Sequence, residues 1–232
     1  MTDLFELLKD GKIKPFQEAL NAKPKPKLTA LNDDGESLLH LVAKMKTGKN
    51  LEFAEALVAA GLPIDLENEA GDSALHTVIG AASSTGLSKQ QVATATWLIE
   101  HGADVNHPGE IKASTLHTAI IKGAQMPFVE QLIAAGADGG RKDHTEQAAF
   151  FLSMGTSNAP KLWSLLLEKW GGLNDRNEYG ETPLHEAVSR HNASAVKFLL
   201  SKGADASVKT KKGETAFDQA NRYAKKLVPL LS

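Results

Sequence analysis

The chain of 232 residues contains no cysteine. That absence removes disulfides, thiolate nucleophiles and cysteine-ligated zinc, and fits either a reducing or an oxidising compartment. No run approaches the roughly 18 apolar residues of a membrane span, and residues 1–10 lack a basic start followed by a signal-length apolar stretch. A cytoplasmic protein is the default expectation, or a periplasmic or secreted one if a leader was removed. No excess of one charge exists either: the formal net charge is −2 and the pI about 6.5. A duplex nucleic-acid binder would need a basic stripe for phosphate, so nucleic acid is not expected as a partner. The chain also lacks a Gly-rich phosphate loop, a Gly-x-Ser-x-Gly elbow around Ser83 and Ser84, and a His-x-x-x-His pair. No metal, cofactor or catalytic residue is expected.

What is present is repetition. The segment Gly180-Glu-Thr-Pro-Leu-His185 has imperfect copies in Gly35-Glu-Ser-Leu-Leu-His40, Gly71-Asp-Ser-Ala-Leu-His76, Ser114-Thr-Leu-His117 and Gly213-Glu-Thr-Ala-Phe-Asp218, with a degraded one, Ala148-Ala-Phe-Phe151. The ends of these tetrads fall at 40, 76, 117, 151, 185 and 218, so the steps are 36, 41, 34, 34 and 33. A second element closes each unit, as in Leu98-Ile-Glu-His-Gly102, Leu132-Ile-Ala-Ala-Gly136 and Leu199-Leu-Ser-Lys-Gly203. From the closing position to the next tetrad end the distance is 15 residues every time (61 to 76, 102 to 117, 136 to 151, 170 to 185, 203 to 218). The connection between units therefore has constant length. The other half varies, which places inserts between the two helices of the first two units, at 44–49 and 80–91.

Local chemistry explains why each unit would fold. Thr182 can cap a first helix, Pro183 suits its first turn because it lacks an amide hydrogen that would be orphaned there, and Leu184 points inward. Val196, Leu199 and Leu200 give a second helix its apolar stripe, and Gly203 ends it in a left-handed turn. Each pair then has two apolar faces and needs neighbours on both.

A period near 33 residues with this tetrad resembles the ankyrin repeat. The resemblance implies an all-α solenoid of stacked helix-turn-helix pairs with hairpin fingers. One domain is expected over 1–232, with an N-terminal cap at 1–31, about five repeats over 32–208 and a C-terminal cap at 209–232. It implies that His40, His76, His117 and His185 hydrogen-bond locally and between repeats. It implies a non-enzymatic protein-binding module, a regulator or inhibitor of the immunity type, with a bacterial effector mimicking host adaptors, or an enzyme built across repeats, as the alternatives.

The partner of an ankyrin protein lies along the groove of finger tips and first helices. Carried onto this chain, that gives Asp33, Asp34, Glu36, Glu69, Asp72 and Glu110, six carboxylates that would attract a basic patch on a partner enzyme, then His144 further along. Arg190 belongs to a more basic C-terminal end. Met45, Ile111, Ile121, Tyr179 and Tyr223 are apolar residues where no structural need for them is evident, and so are candidate anchors. Trp170, in a closing slot where Gly is usual, is a further candidate; Gly139-Gly140 is assigned to turn geometry. A monomer is expected.

Overall fold

The computed structural model describes residues 3–45, 48–83, 86–110, 112–156 and 159–231. Among them the chain is helical, with one isolated bridge between Ser83 and Gly86. Helices α1 (Leu4–Lys9) and α2 (Ile13–Leu20) form the first pair. Five pairs follow: α3 (Leu38–Lys44) with α4 (Asn50–Ala59), α5 (Ala74–Gly80) with α6 (Lys89–Glu100), α7 (Thr115–Ile121) with α8 (Met126–Ala134), α9 (Ala149–Ser153) with α10 (Pro160–Trp170), and α11 (Pro183–Ser189) with α12 (Ala193–Ser201). Helix α13 (Ala216–Tyr223), a 3-10 turn at Lys225–Leu227 and α14 (Val228–Leu231) complete the chain.

The first helices α3, α5, α7, α9, α11 and α13 pack in series as one layer. Leu39, Leu75, Leu116, Phe150 and Leu184, each just inside its helix, are buried, as are Leu57, Leu98, Leu132, Leu166 and Leu199 on the second helices. They belong to one continuous apolar cluster that runs from Leu4 to Leu227. No single repeat could shield such a stripe, so stacking supplies the hydrophobic driving force.

Second helices α4, α6, α8 and α12 give way to glycines at 61, 102, 136 and 203, all at positive φ (+99°, +92°, +94° and +86°). Helix α10 differs, because Trp170 stays helical and Gly171 takes the left-handed role at φ +71°.

The histidines tie the first-helix layer together. Each Nε2 faces a carbonyl of the following finger: His40 that of Asp72 (2.8 Å), His76 that of Ala113 (3.0 Å), His117 those of Arg141 and Gln147 (3.1 and 3.2 Å), and His185 that of Glu214 (3.2 Å). A carbonyl can only accept, so Nε2 carries the hydrogen and Nδ1 is the acceptor. Ser37, Ser73, Ser114 and Thr182 accordingly donate their hydroxyls to Nδ1, at 2.6, 3.1, 2.8 and 2.9 Å. Thr182 caps its helix as expected, in a capping box with His185: the Thr182 oxygen faces the His185 backbone amide, while His185 Nδ1 accepts from the Thr182 hydroxyl and, at 3.2 Å, from its amide.

Repeat four has Phe151 in place of the histidine and so sends no such bridge forward. Its helix α9 is also shorter, 5 residues against 7 in α7 and α11. The indole N–H of Trp163 caps it at the Ser153 carbonyl, 2.9 Å away. At the chain's last tetrad, Asp218 accepts from the Thr215 amide and hydroxyl at 2.9 and 2.8 Å, but has no ring N–H to pass on.

The second insert is expected to be a loose loop. It is packed at two positions: Leu87 is buried, and a Cβ on Gly86 would lie 3.1 Å from the Gly123 carbonyl of the next repeat.

Candidate functional site

The fingers are built from a repeated side-chain brace. Asn32 Oδ1 accepts from the amides of Asp34 (3.0 Å) and Glu36 (2.8 Å), and Asn68 Oδ1 from those of Ala70 and Asp72 (2.9 Å each). Asp143, Asn177 and Thr210 do the same two repeats and more further on. These residues stand eight positions before each tetrad end. Their period is visible in the sequence, although they are not among the tip residues named above. Such a residue holds a tight turn because its short side chain mimics a backbone acceptor. Adjacent fingers are then joined edge to edge, Glu69 N–H to Gly35 O at 2.9 Å, Glu178 N–H to Thr145 O at 3.1 Å, and Lys211 N–H to Tyr179 O at 2.9 Å.

The third finger breaks this pattern. Gly109 occupies the brace position and has no side chain to accept there; its own amide meets His107 Nδ1 at 3.4 Å, and the Glu110 amide reaches back to Asp72 Oδ1 at 3.1 Å. Lys112 and Glu146 stand where Gly35, Gly71, Gly180 and Gly213 have φ between +73° and +83°, and they adopt φ +56° and +63° themselves. Ile111 lies outside the described residues.

The acidic candidates do not form one exposed stripe. Asp33, Asp34, Glu69 and Glu110 are exposed, whereas Asp72 is half-buried and engaged with the next finger. Glu36 departs furthest from a solvated tip: it is buried and pairs with Lys44 across the first helix, which leaves it little charge to offer a partner. His144 is exposed on the fourth finger.

The apolar candidates separate into two places. Ile121, 57% exposed, stands at the C-terminal end of α7, on the side of the helix-helix turns. There it lines a cleft of about 750 Å³ with Arg190, whose Nε bonds Glu186 at 2.8 Å. Leu152, Gly155 and Thr156, at and just after the short α9, line it too. Tyr179 and Tyr223, 58% and 45% exposed, instead share a smaller cleft of about 240 Å³ between the last two fingers and α13. Met45 is half-buried against the core. Leu31, 37% exposed beside the first finger, is an apolar surface residue that the sequence reading did not single out.

Trp170 explains two glycines. An added Cβ would meet its ring at 2.6 Å from Gly139 and 3.3 Å from Gly140, so this pair is small because the indole of α10 lies on it. Gly139 has no positive φ, which corrects the assignment of the pair to turn geometry alone.

Charges on the bridging histidines follow from their places. Burial holds His40, His76, His117 and His185 below the ordinary imidazole range, partly opposed by the carbonyl that accepts from each Nε2–H. His107 stacks edge-on against His76 and reaches Glu67 at 3.1 Å, and His101 lies flat on Trp97. Among the described residues no group of three or more His, Asp or Glu side chains is placed to hold a metal ion.

The profile of the ankyrin-repeat family, with three copies, matches residues 116–210. The ankyrin-repeat domain of Bcl-3, a member of the IkappaB protein family, superposes with a TM-score of 0.75 at 21% identity, over 100% of this chain and 98% of that one. Residues 116–210 are ankyrin repeats, and the fold of the chain is that of an ankyrin-repeat domain. It is similar to the E3 ubiquitin-protein ligase KEG of Arabidopsis thaliana, 28% identical over 213 residues that cover 84% of this chain and 12% of that protein. The NF-kappa-B p105 subunit of Gallus gallus is 28% identical over 178 residues, 75% of this chain and 17% of that one. Human ankyrin repeat and SOCS box protein 6 is 31% identical over 129 residues, 52% of this chain and 30% of that one. This chain thus spans a minor part of the length of these relatives. Ankyrin repeats are generally protein-interaction scaffolds. No helix among the described residues is long and apolar enough to cross a membrane.

Proposed function

We propose that this protein is a regulator that binds one partner protein along its fingers and first helices, with the principal anchors at the C-terminal end. The observation that carries the reading is the cleft between Tyr179 and Tyr223. Two large aromatic side chains are left in solvent where folding does not need them, on adjoining walls of one concavity. Tyrosine in such a place supplies contact area at low entropic cost, and interfaces concentrate their energy in residues of this kind. Asp33, Asp34, Glu69 and Glu110 form an acidic rim at the other end, which would orient a partner carrying a basic patch. An enzyme held in an inhibited state is the partner class this reading favours. A monomer engaged by one partner is the simplest stoichiometry. The relatives include a nuclear factor NF-kappa-B subunit and an E3 ubiquitin-protein ligase, each far longer than this chain, so a tethering role within a longer assembly is the second reading.

The test is affinity capture with the tagged protein beside a Tyr179→Asp, Tyr223→Asp variant of equal thermal stability and an Ile121→Asp variant. A partner kept by Ile121→Asp and lost by the tyrosine variant supports the reading. Assaying that partner's activity with and without the protein then separates inhibitor from tether. Retention by the tyrosine variant would move the interface to the Ile121 and Arg190 cleft.

A further inference from the structure

Gln219 is 4% exposed on α13 and lines the cleft between the two tyrosines, and its side-chain oxygen is shielded from water without a hydrogen-bond partner among the described residues. A buried acceptor left in this state has lost its hydration and gained nothing in exchange, so it is a place where an incoming donor is rewarded. Around it stand Glu181 and Glu214, both half-buried. Arg222 is already drawn to this acceptor set, with Nη2 2.5 Å from Glu214 Oε1, although its side chain is 67% exposed.

We propose that this cleft takes the guanidinium of an arginine presented by the partner protein, an inference that rests on the groove reading above. The chemistry selects arginine in three ways. A guanidinium is planar and stacks on aromatic rings, and two exposed tyrosines, Tyr179 and Tyr223, line this cleft. It has five donors in a fixed fork, so one group reaches the Gln219 oxygen and a carboxylate together, which a point-like ammonium does less well. And the space fits: about 240 Å³ is below the ~300–1,000 Å³ of ordinary small-molecule clefts and suits one long side chain.

An anionic guest is the alternative to weigh, because Lys211 and Lys212 also border the cleft. The field at the phenols decides against it. Tyr179 donates to the Glu178 carboxylate, which raises its pKa, and Tyr223 is raised by burial, with Glu214 and Glu181 outweighing the opposite pull of Arg222. At the phenols themselves the carboxylates prevail, although the cleft as a whole is lined by Lys211, Lys212 and Arg222 as well as by Glu181 and Glu214.

The experiment is an NMR titration of the whole chain with Nα-acetyl-arginine amide, its lysine counterpart and its glutamate counterpart, read at the Gln219 side-chain amide and the tyrosine rings. Arginine amide is expected to saturate with a Kd in the millimolar range, the lysine compound several-fold weaker, and the glutamate compound not at all. Gln219→Leu, close in size and free of the orphan oxygen, should keep its thermal midpoint and bind at least about fivefold more weakly. Arg222→Ala frees Glu214 and should tighten binding by about two- to fivefold. No saturation by about 50 mM, an equal response to the glutamate compound, or wild-type affinity in Gln219→Leu would overturn the inference. If these fail while Tyr179→Asp, Tyr223→Asp still abolishes partner capture, the arginine pocket is wrong and the groove reading stands. If the arginine amide binds as expected but capture survives the tyrosine change, the groove reading is wrong and the cleft remains an arginine site.

Discussion

Mild acid should unfold this protein through its bridging histidines, and the structure sets both the sign and the steepness. His40, His76, His117 and His185 are buried as neutral rings whose Nδ1 accepts a hydroxyl and whose Nε2–H donates to the next repeat. A proton on Nδ1 turns that acceptor into a second donor facing a hydroxyl, and in His117 and His185 facing a backbone amide as well. The folded pKa values are lowered, chiefly by burial, whereas the unfolded chain titrates near 6.5. Below that pH the unfolded state binds more protons than the folded one, so stability is full above about 6.5 and falls as pH drops toward the folded values. Each ring contributes at most about 1.4 kcal/mol per pH unit, and four together about 5.5, against a domain stability of about 5–15 kcal/mol. Asp65, raised by burial, works in the opposite direction but nearer the carboxylate range. Asp205 and Asp218, lowered by hydrogen bonds from Ser207 and Thr215, lose their contribution only below that range. The assay is urea unfolding followed by circular dichroism at steps from about pH 7.5 to 5, with wild type beside His117→Gln. The variant should be less stable at neutral pH and show a slope shallower by about one proton. A stability that stays flat over this interval, or an unchanged slope in the variant, would refute the argument.

Other consequences are sharper and smaller. Glu146→Gly and Lys112→Gly remove left-handed strain of about 1–2 kcal/mol, offset in part by a looser unfolded chain, so each should raise the thermal midpoint by about 1–4 °C. Calorimetry showing a lower midpoint for both would contradict the finger geometry. Gly139→Ala should cost about 1–3 kcal/mol because its Cβ would sit 2.6 Å from the Trp170 ring, and most of that cost should vanish in a Trp170→Ala background, a coupling that a double-mutant cycle measures. Asn177→Ala strips two amide partners from the fifth finger, at about 1–3 kcal/mol, and should speed hydrogen exchange at Tyr179 and Glu181 above all.

The architecture was legible because its signals are local and repeated. Pro183 at a helix start, Gly203 past a helix end and a leucine at most core positions act within one unit, and a constant 15-residue link joins it to the next, so a short window of sequence carries them. The tetrad histidines were legible for the same reason, and the ring-to-carbonyl bridges bear out the role that the ankyrin resemblance implies for them. What stayed hidden depends on which surfaces meet. Glu36 reads as a solvated tip until Lys44, eight residues on, folds back over it. Gly139 reads as a turn residue until the indole of Trp170, thirty-one positions away, lies on it. Tyr179 and Ile121 look alike along the chain, yet they line different clefts, one at the last fingers and one beside α9. Sequence alone therefore determined the repeat, its helices and its bridges, which need only backbone propensity and periodic burial. Only the tertiary structure decided that Tyr179, Gln219 and Tyr223 converge, because the convergence is set by the packing of one repeat on the next and no single repeat encodes it.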